Sequence, residues 1–153
     1  MRIAVRYQSR SGNTKKVAEA IARKSGVVAK PLDPAEKFSP AADLLFVGGP
    51  IYAGNPHKNV TKALAALTAG EASGAAFFYT SAMPPPAAMD NRFKAAVKDP
   101  AIVISDAVFQ CPGKFLFTKR DRPNGDDLEK AEAFAKRAIE VRRKTLEEKK
   151  WRE

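Results

Sequence analysis

The sequence predicts an α/β fold in which five parallel strands form one sheet with helices on both faces. Two observations support this prediction. Short apolar runs alternate five times with segments whose apolar residues recur at helical spacing. Several of the runs are uninterrupted, which is typical of strands that are buried on both faces of a parallel sheet. Because right-handed crossovers place helices on both sides of such a sheet, we expect a doubly wound, three-layer α/β/α domain.

The predicted elements follow from these runs. The strands are expected at 3–7, 27–32, 43–48, 74–80 and 101–111, and the helices at 14–26, 57–67, 89–98 and 126–148. Pro31 favours an edge position for the second strand, because proline cannot donate to a ladder of backbone hydrogen bonds. The fifth run contains the polar pair Ser105 and Asp106, where we expect a bend or bulge.

Length and composition limit the class of protein. The chain has 153 residues, 44% of them hydrophobic, and no apolar run approaches the roughly 18 residues that cross a bilayer. The chain begins directly with a strand and shows no secretory signal pattern, and its single cysteine, Cys111, cannot form an internal disulfide. We therefore expect a cytoplasmic domain at 1–146, followed by a charged C-terminal tail at 147–153.

The loop after the first strand, SRSGNT at 9–14, predicts a phosphate site. The first N–H groups of a helix lack partners within the helix, and the helix dipole places partial positive charge there. A phosphate could accept hydrogen bonds from these groups and from the hydroxyls of Ser9, Ser11 and Thr14. Gly12 permits a tight turn and close approach to the anion. The alternative is an ordinary strand-to-helix turn, because Ser, Asn and Thr are common helix caps.

Two further loops follow strand carboxyl ends, and ligands of doubly wound sheets bind at that edge. The loop at 49–55 offers the aromatic ring of Tyr52, and the loop at 81–86 offers small groups and the thioether of Met83. If the three loops converge, they suit a planar heteroaromatic compound that bears one phosphate. Flavin mononucleotide (FMN) has that chemistry.

The same residues resemble a known family. SRSGNT at 9–14 resembles the [ST]-x-[ST]-G-N-[ST] phosphate loop of flavodoxins. GPIYAG at 49–54 is similar to the P-x-Y-x-G segment of flavodoxin-like FMN proteins, which include NAD(P)H:quinone reductases. The resemblance implies a flavodoxin-like fold with strand order 2-1-3-4-5.

The resemblance also implies which residues bind FMN. The phosphate would lie in the first loop, at Ser9, Arg10, Ser11, Gly12, Asn13 and Thr14. The isoalloxazine ring would lie between Pro50, Ile51, Tyr52, Ala53 and Gly54 on one side and Thr80, Ser81, Ala82 and Met83 on the other. A backbone carbonyl near Ala53 or Gly54 could accept a hydrogen bond from the ring. No catalytic side chain and no metal site are predicted.

The expected function is electron transfer by a bound flavin between redox partners. The alternative is an FMN-dependent NAD(P)H:quinone or other acceptor oxidoreductase, and a third possibility is an interaction module that has lost the flavin. The third loop lacks the aromatic residue that often stacks on the ring, which would leave room for a nicotinamide.

The net charge of the chain indicates what kind of redox partner to expect. The chain carries a net charge of +10, whereas flavodoxins are usually acidic, so we expect an acidic, ferredoxin-like redox partner. NAD(P)H is the alternative electron donor. No zinc spacing, RNA-type aromatic motif or basic heptad accompanies the charge, which argues against nucleic acid. The basic segment 114–122 could contact the cofactor edge or an acidic partner, or could simply be solvated.

Two single residues could suggest chemistry. His57 is the only histidine, and no carboxylate lies near it in sequence, so a structural role is expected. Cys111 ends an apolar strand, where a buried and unreactive thiol is expected.

Overall fold

A computed structural model describes residues 1–113 and 121–153. The strands are β1 (Ile3–Tyr7), β2 (Ala29–Pro31), β3 (Leu44–Tyr52), β4 (Asn55–Pro56), β5 (Gly74–Ser81), β6 (Val103–Ile104) and β7 (Phe109–Pro112). The helices are α1 (Asn13–Ser25), α2 (Lys58–Ala66), α3 (Met89–Ala96) and α4 (Gly125–Arg152).

The sheet has the predicted order. The strands lie in the order β2–β1–β3–β5, and β6 and β7 both pair with the outer side of β5. All of these pairings are parallel, which confirms the doubly wound order 2-1-3-4-5 when β6 and β7 are taken as the fifth position. β2, which ends at Pro31, lies at the sheet edge as expected. The short β4 is antiparallel to β3 and was not predicted.

The predicted fifth strand is two strands. Val103 pairs with Gly74 at the start of β5, and Phe109 pairs with Phe78 in its second half. Residues 105–108, which include the polar pair Ser105 and Asp106, separate the two pairings. The single strand predicted at 101–111 is therefore wrong, because the polar pair interrupts the ladder completely instead of bending it.

Two apolar cores cover the two faces of the sheet, as predicted. On one face, Val17 and Ile21 of α1 and Ala135 of α4 pack against Phe46 and Phe78. On the other face, helices α2 and α3 cover the sheet, and their buried residues Val60, Leu64 and Phe93 pack in one cluster with Val47 and Phe77. The layers are therefore α/β/α, and the carboxyl ends of the strands remain free of covering helices.

Gly48 shows how tightly the middle of the sheet is packed. A Cβ atom at this position would lie 2.2 Å from two ring carbons of Phe78. Since the ring itself is fully buried, a larger residue would force it out of the core. β3 can therefore pack beside β5 only because residue 48 is a glycine.

The last helix is longer than predicted. It continues past its predicted end at residue 148 to Arg152, and the boundary predicted between residues 146 and 147, where a charged tail was expected to begin, falls inside it. Residues 143–152 contain neither glycine nor proline and are mostly Lys, Arg, Glu and Leu, which favour helix even without packing. Trp151 is 90% exposed there.

The orientation of α4 places this exposed end away from the strand carboxyl ends. The guanidinium of Arg142 donates to the backbone oxygen of Asp43 (2.9 Å) and to Ser73 (2.8 Å), just before β3 and β5 begin. The helix therefore passes the amino-terminal edge of the sheet and continues beyond it. Most of the basic segment predicted at 114–122, residues 114–120, lies outside the described residues. In the described ranges 1–113 and 121–153, no helix is long and apolar enough to span a membrane.

Candidate functional site

The carboxyl ends of β1, β3 and β5 open into a cavity of about 900 Å³. It is lined by Ser9, Arg10, Ser11, Asn13, Thr14, Pro50, Ile51, Tyr52, Ala53, Gly54, Thr80, Ser81, Ala82, Met83, Pro84, Pro85 and Pro86. All of the residues that the sequence placed in the candidate site therefore meet here, except Gly12. Three prolines of the third loop complete the wall and were not among the predicted residues.

The first loop presents backbone donors to one oxygen atom. Gly12 caps α1 in the left-handed conformation, with φ of 93°, which glycine adopts without strain. The hydroxyl of Ser9 accepts from the backbone N–H of Gly12 (3.2 Å) and of Lys15 (3.3 Å). No acidic side chain lies in the first turn of the helix, so its positive end remains available to an anion. Gly12 thus shapes the loop but does not itself line the cavity.

Asn13 and Thr14 belong to the first turn of α1 and are buried, although the sequence placed them in the loop. The hydroxyls of Thr14 and Thr80 form a hydrogen bond of 2.7 Å, which joins the first loop to the end of β5. A Cβ atom on Gly113 would lie 2.6 Å from Nδ2 of Asn13, so the chain after β7 closes tightly over this turn.

The second wall of the cavity is a β-hairpin. The predicted loop 49–55 is mostly strand, because β3 continues to Tyr52 and turns back into β4. Both turn residues have positive φ, 50° at Ala53 and 75° at Gly54, which is the signature of a type I′ turn. Arg92 of α3 donates a hydrogen bond to the carbonyl of Gly54. Tyr52 stays 42% exposed at the cavity mouth.

The third wall is short and open. The hydroxyl of Ser81 donates a hydrogen bond to the carbonyl of Met83, and the Met83 side chain itself is 74% exposed. Pro86 approaches the hairpin, with its Cγ atom 3.8 Å from the position of a Cβ on Gly54. The second and third loops therefore meet at this point and close one end of the cavity.

His57 joins the hairpin to the start of α2. Its Nδ1 atom accepts from the backbone N–H of Asn59 (3.0 Å) and so caps α2, while its ring contacts Tyr52 edge-to-face at 6.1 Å. Partial burial lowers the pKa of His57, and the positive charges of Lys58 and Arg10 lower it further. The histidine is thus held as a neutral hydrogen-bond acceptor, in keeping with the structural role that the sequence suggested.

Cys111 is buried, and it pairs in the sheet with Thr80. Burial raises the pKa of the Cys111 thiol to about 12, with a further contribution from the carboxylate of Asp127. Such a thiol is protonated at neutral pH and unreactive, as expected from the sequence. In the ranges 1–113 and 121–153, no group of three His, Cys, Asp or Glu side chains could hold a metal ion.

The same overall fold is also found in solved structures. One is oxidised flavodoxin 2 from Bacillus cereus, with a TM-score of 0.70 and 19% identity over 92% of this chain and 99% of that one. A second is a flavodoxin from the domain Archaea, with a TM-score of 0.62 and 18% identity over 94% of this chain and 99% of that one. The chain has a flavodoxin-like fold.

The similarity is structural more than sequential. A WrbA-like flavodoxin from Agrobacterium tumefaciens also has this flavodoxin-like fold, with a TM-score of 0.61, 18% identity and coverage of 94% and 98%. No protein-family model matches the sequence, and no curated protein matches it. At these identities the comparisons establish the fold.

Sequence reasoning missed two residues that shape the site of this flavodoxin-like fold. Arg92 carried no signal, because an arginine on a helix is usually solvated. Gly113 follows β7 directly, and a glycine after a strand is a weak indication of close backbone approach. Both act through tertiary contacts, on the hairpin and on Asn13 respectively.

Proposed function

We propose that this protein binds FMN in the cavity at the strand carboxyl ends and transfers electrons between redox partners. The observation that carries the proposal is the convergence of three separate loops on one cavity. One loop presents helix-terminal donors, one presents an aromatic ring, and one presents small groups. That combination fits an anion joined to a planar, largely apolar ring system.

The residues present fit FMN in two respects. Backbone N–H groups of Gly12 and Lys15 already converge on an oxygen atom, that of Ser9, so the loop geometry suits oxygen acceptors. The cavity of about 900 Å³ lies within the range of cofactor pockets, and its walls beyond the first loop are mainly Pro, Ile, Tyr, Ala and Met.

Each wall has a separate task in the proposal. Ser9, Ser11 and Thr14 bind the phosphate, and Arg10 adds positive charge beside it. Tyr52 and the hairpin cover one face of the ring, while the small groups of the third loop lie along the other. Bound FMN would supply the redox chemistry, since a flavin accepts and releases electrons that protein side chains cannot carry.

The partner follows from charge. A protein with a net charge of +10 associates fastest with an acidic surface, so we propose an acidic, ferredoxin-like electron carrier as the partner. Electrostatic attraction of this kind raises the rate of encounter and weakens as salt is added.

A second function is favoured by the open third wall. Tyr52 is the only aromatic residue among the described residues that line the cavity, and Met83 opposite it is largely exposed. A nicotinamide could therefore reach the ring, which would suit an FMN-dependent NAD(P)H:quinone oxidoreductase.

Two measurements test these functions. The absorption spectrum of protein mixed with FMN and freed of excess ligand should retain bands near roughly 375 and 450 nm, as any oxidised flavin does. If the protein stays colourless, the proposed cofactor is contradicted. The remaining interpretation is then an interaction module that has lost the flavin. Steady-state oxidation of NADPH with a quinone acceptor then separates carrier from enzyme, because a carrier shows no turnover.

A further inference from the structure

Three basic side chains from three different elements lie near the mouth of the cavity. Arg92 of α3 donates to the carbonyl of Gly54 and lies 3.4 Å from Oδ1 of Asn55. Arg10 of the first loop lines the cavity. Lys58 begins α2 directly after His57, whose ring contacts Tyr52. We call Arg10, Lys58 and Arg92 the basic collar.

The collar is exposed and lacks acidic partners. All three side chains are exposed, and no salt bridge in the described part of the chain involves any of them. The nearest carboxylate on α3, that of Asp90, accepts a hydrogen bond from Tyr79. The positive charge of the collar is therefore not neutralised within the described residues.

Exposed apolar groups lie at the same cavity as these cations. Tyr52 is 42% and Met83 74% exposed, and both also line the cavity. Aromatic residues, Met and Arg are enriched at the centres of protein interfaces, whereas small ligands are bound in concave sites. An exposed tyrosine and methionine beside exposed basic residues are therefore typical of a protein-binding surface.

We propose that the basic collar, with Tyr52 and Met83 at its centre, docks an acidic protein surface directly over the cavity mouth. Its purpose as an electron-transfer interface rests on the proposed function, but the docking itself requires no flavin. Charge complementarity selects the partner, and the two apolar side chains provide contact area at the point closest to the cavity.

The chain provides a control that separates local charge from net charge. Lys150 lies on the part of α4 that extends past the opposite edge of the sheet, and like Lys58 it is exposed. Lys58→Glu and Lys150→Glu change the net charge equally but alter opposite ends of the molecule. Neither residue lines the cavity.

The probe is a plant-type [2Fe–2S] ferredoxin, an acidic redox protein. Its dissociation constant is measured calorimetrically at low salt, with and without FMN. We expect binding to the wild type, about tenfold weaker binding to Lys58→Glu, and binding within about twofold of wild type for Lys150→Glu. A Lys58→Gln variant, which removes the charge without reversing it, should fall between. Added salt should weaken binding to the wild type more than to Lys58→Glu.

Three results would overturn the docking proposal. The first is that ferredoxin does not bind to the wild type. The second is that Lys58→Glu and Lys150→Glu weaken ferredoxin binding equally. The third is that Lys58→Glu weakens the binding of NADPH, measured in a parallel titration, but leaves ferredoxin binding unchanged. If ferredoxin binds through the collar but FMN does not bind at all, the docking surface stands and the proposed function fails.

Discussion

The guanidinium of Arg92 on α3 donates a hydrogen bond to the main-chain carbonyl of Gly54 in the hairpin turn. The helix itself is fixed to the sheet, because Tyr79 donates to Asp90 at 2.9 Å and stacks on Phe93 with ring centres 5.2 Å apart. The second wall of the cavity is therefore held by a helix that does not line it.

Arg92→Ala should loosen this wall. The turn keeps Ala53 at φ of 50°, which costs free energy in a non-glycine residue, and Arg92 helps to hold it there. We expect about fivefold weaker FMN binding, equivalent to loss of a hydrogen bond of about 1 kcal/mol, and faster amide hydrogen exchange at Gly54 and Asn55. Calorimetry and exchange measured by NMR give the two values.

The control for Arg92 lies on the same helix. Lys94 donates to the carbonyl of Asp106 and does not contact the hairpin, so Lys94→Ala should leave FMN binding unchanged. Arg92→Lys keeps one donor and should fall between the wild type and Arg92→Ala. Equal effects of Arg92→Ala and Lys94→Ala would mean that Arg92 does not position the turn.

His57 gives a direct measure of the charge at the cavity mouth. As the only histidine, it yields one titrating ring signal in an NMR spectrum. We expect its pKa below the ordinary value of 6.5, because burial and the charges of Lys58 and Arg10 disfavour protonation. Lys58→Ala should raise this pKa, whereas Lys150→Ala should not.

The same shift makes stability depend on pH. The folded pKa of His57 is lowered, so the unfolded chain binds the proton more readily. The stabilisation from the neutral Nδ1 cap is therefore complete above the unfolded value of 6.5 and is lost as pH falls through the folded pKa. The urea concentration at the midpoint of unfolding of the wild type should therefore decrease as the pH is lowered from 6.5 through the folded pKa of His57. A raised pKa of His57 would contradict the arrangement.

Gly113→Ala should disturb the first turn of α1 from the chain that follows β7. The added Cβ would lie 2.6 Å from Nδ2 and 3.1 Å from Cγ of Asn13, whose side chain is buried and lines the cavity. We expect a loss of about 1–3 kcal/mol in the free energy of unfolding, as for other overpacked sites, together with weaker FMN binding. Urea denaturation and FMN titration measure the two effects.

Gly125→Ala is the matched control, because in the described residues no atom beyond its chain neighbours and the backbone of its own helix lies within 4 Å of its Cβ position, and the residue begins α4. It should be neutral or stabilise the protein by up to about 1 kcal/mol, since alanine favours helix. If both alanine variants behave alike, Asn13 is not constrained by Gly113.

The sequence predicted the parallel α/β architecture and the position of the candidate site because both depend on local patterns, whereas the strand order followed from the resemblance to flavodoxins. Uninterrupted apolar runs mark β3 and β5, and the strand carboxyl ends of a doubly wound sheet necessarily lie at one edge. The three loops could therefore be assigned to one cavity without knowledge of any contact between them.

What the sequence could not predict depends on contacts between distant segments. The hydrogen bond between the hydroxyls of Thr14 and Thr80 spans 66 residues, and the bond from Arg92 to Gly54 spans 38. β3 continues beyond the predicted end at Gly48 because β5 pairs with it as far as Pro50, a tertiary effect that overrides the turn preference of Gly49 and Pro50. Residues 147–153 were expected to form a charged tail outside the domain, but most of these residue types favour helix.

The central claim is that the first loop binds the phosphate of FMN, and calorimetric titration with FMN tests it most directly. Thr145→Ala, which removes a hydroxyl from α4, is the control, and thermal unfolding checks that each variant folds. The wild type should bind one FMN, and Ser11→Ala/Thr14→Ala should bind it about a hundredfold more weakly, since each lost hydrogen bond to a charged group contributes about 1.5 kcal/mol. No heat from the wild type, or the same dissociation constant in the folded double variant, would contradict the claim.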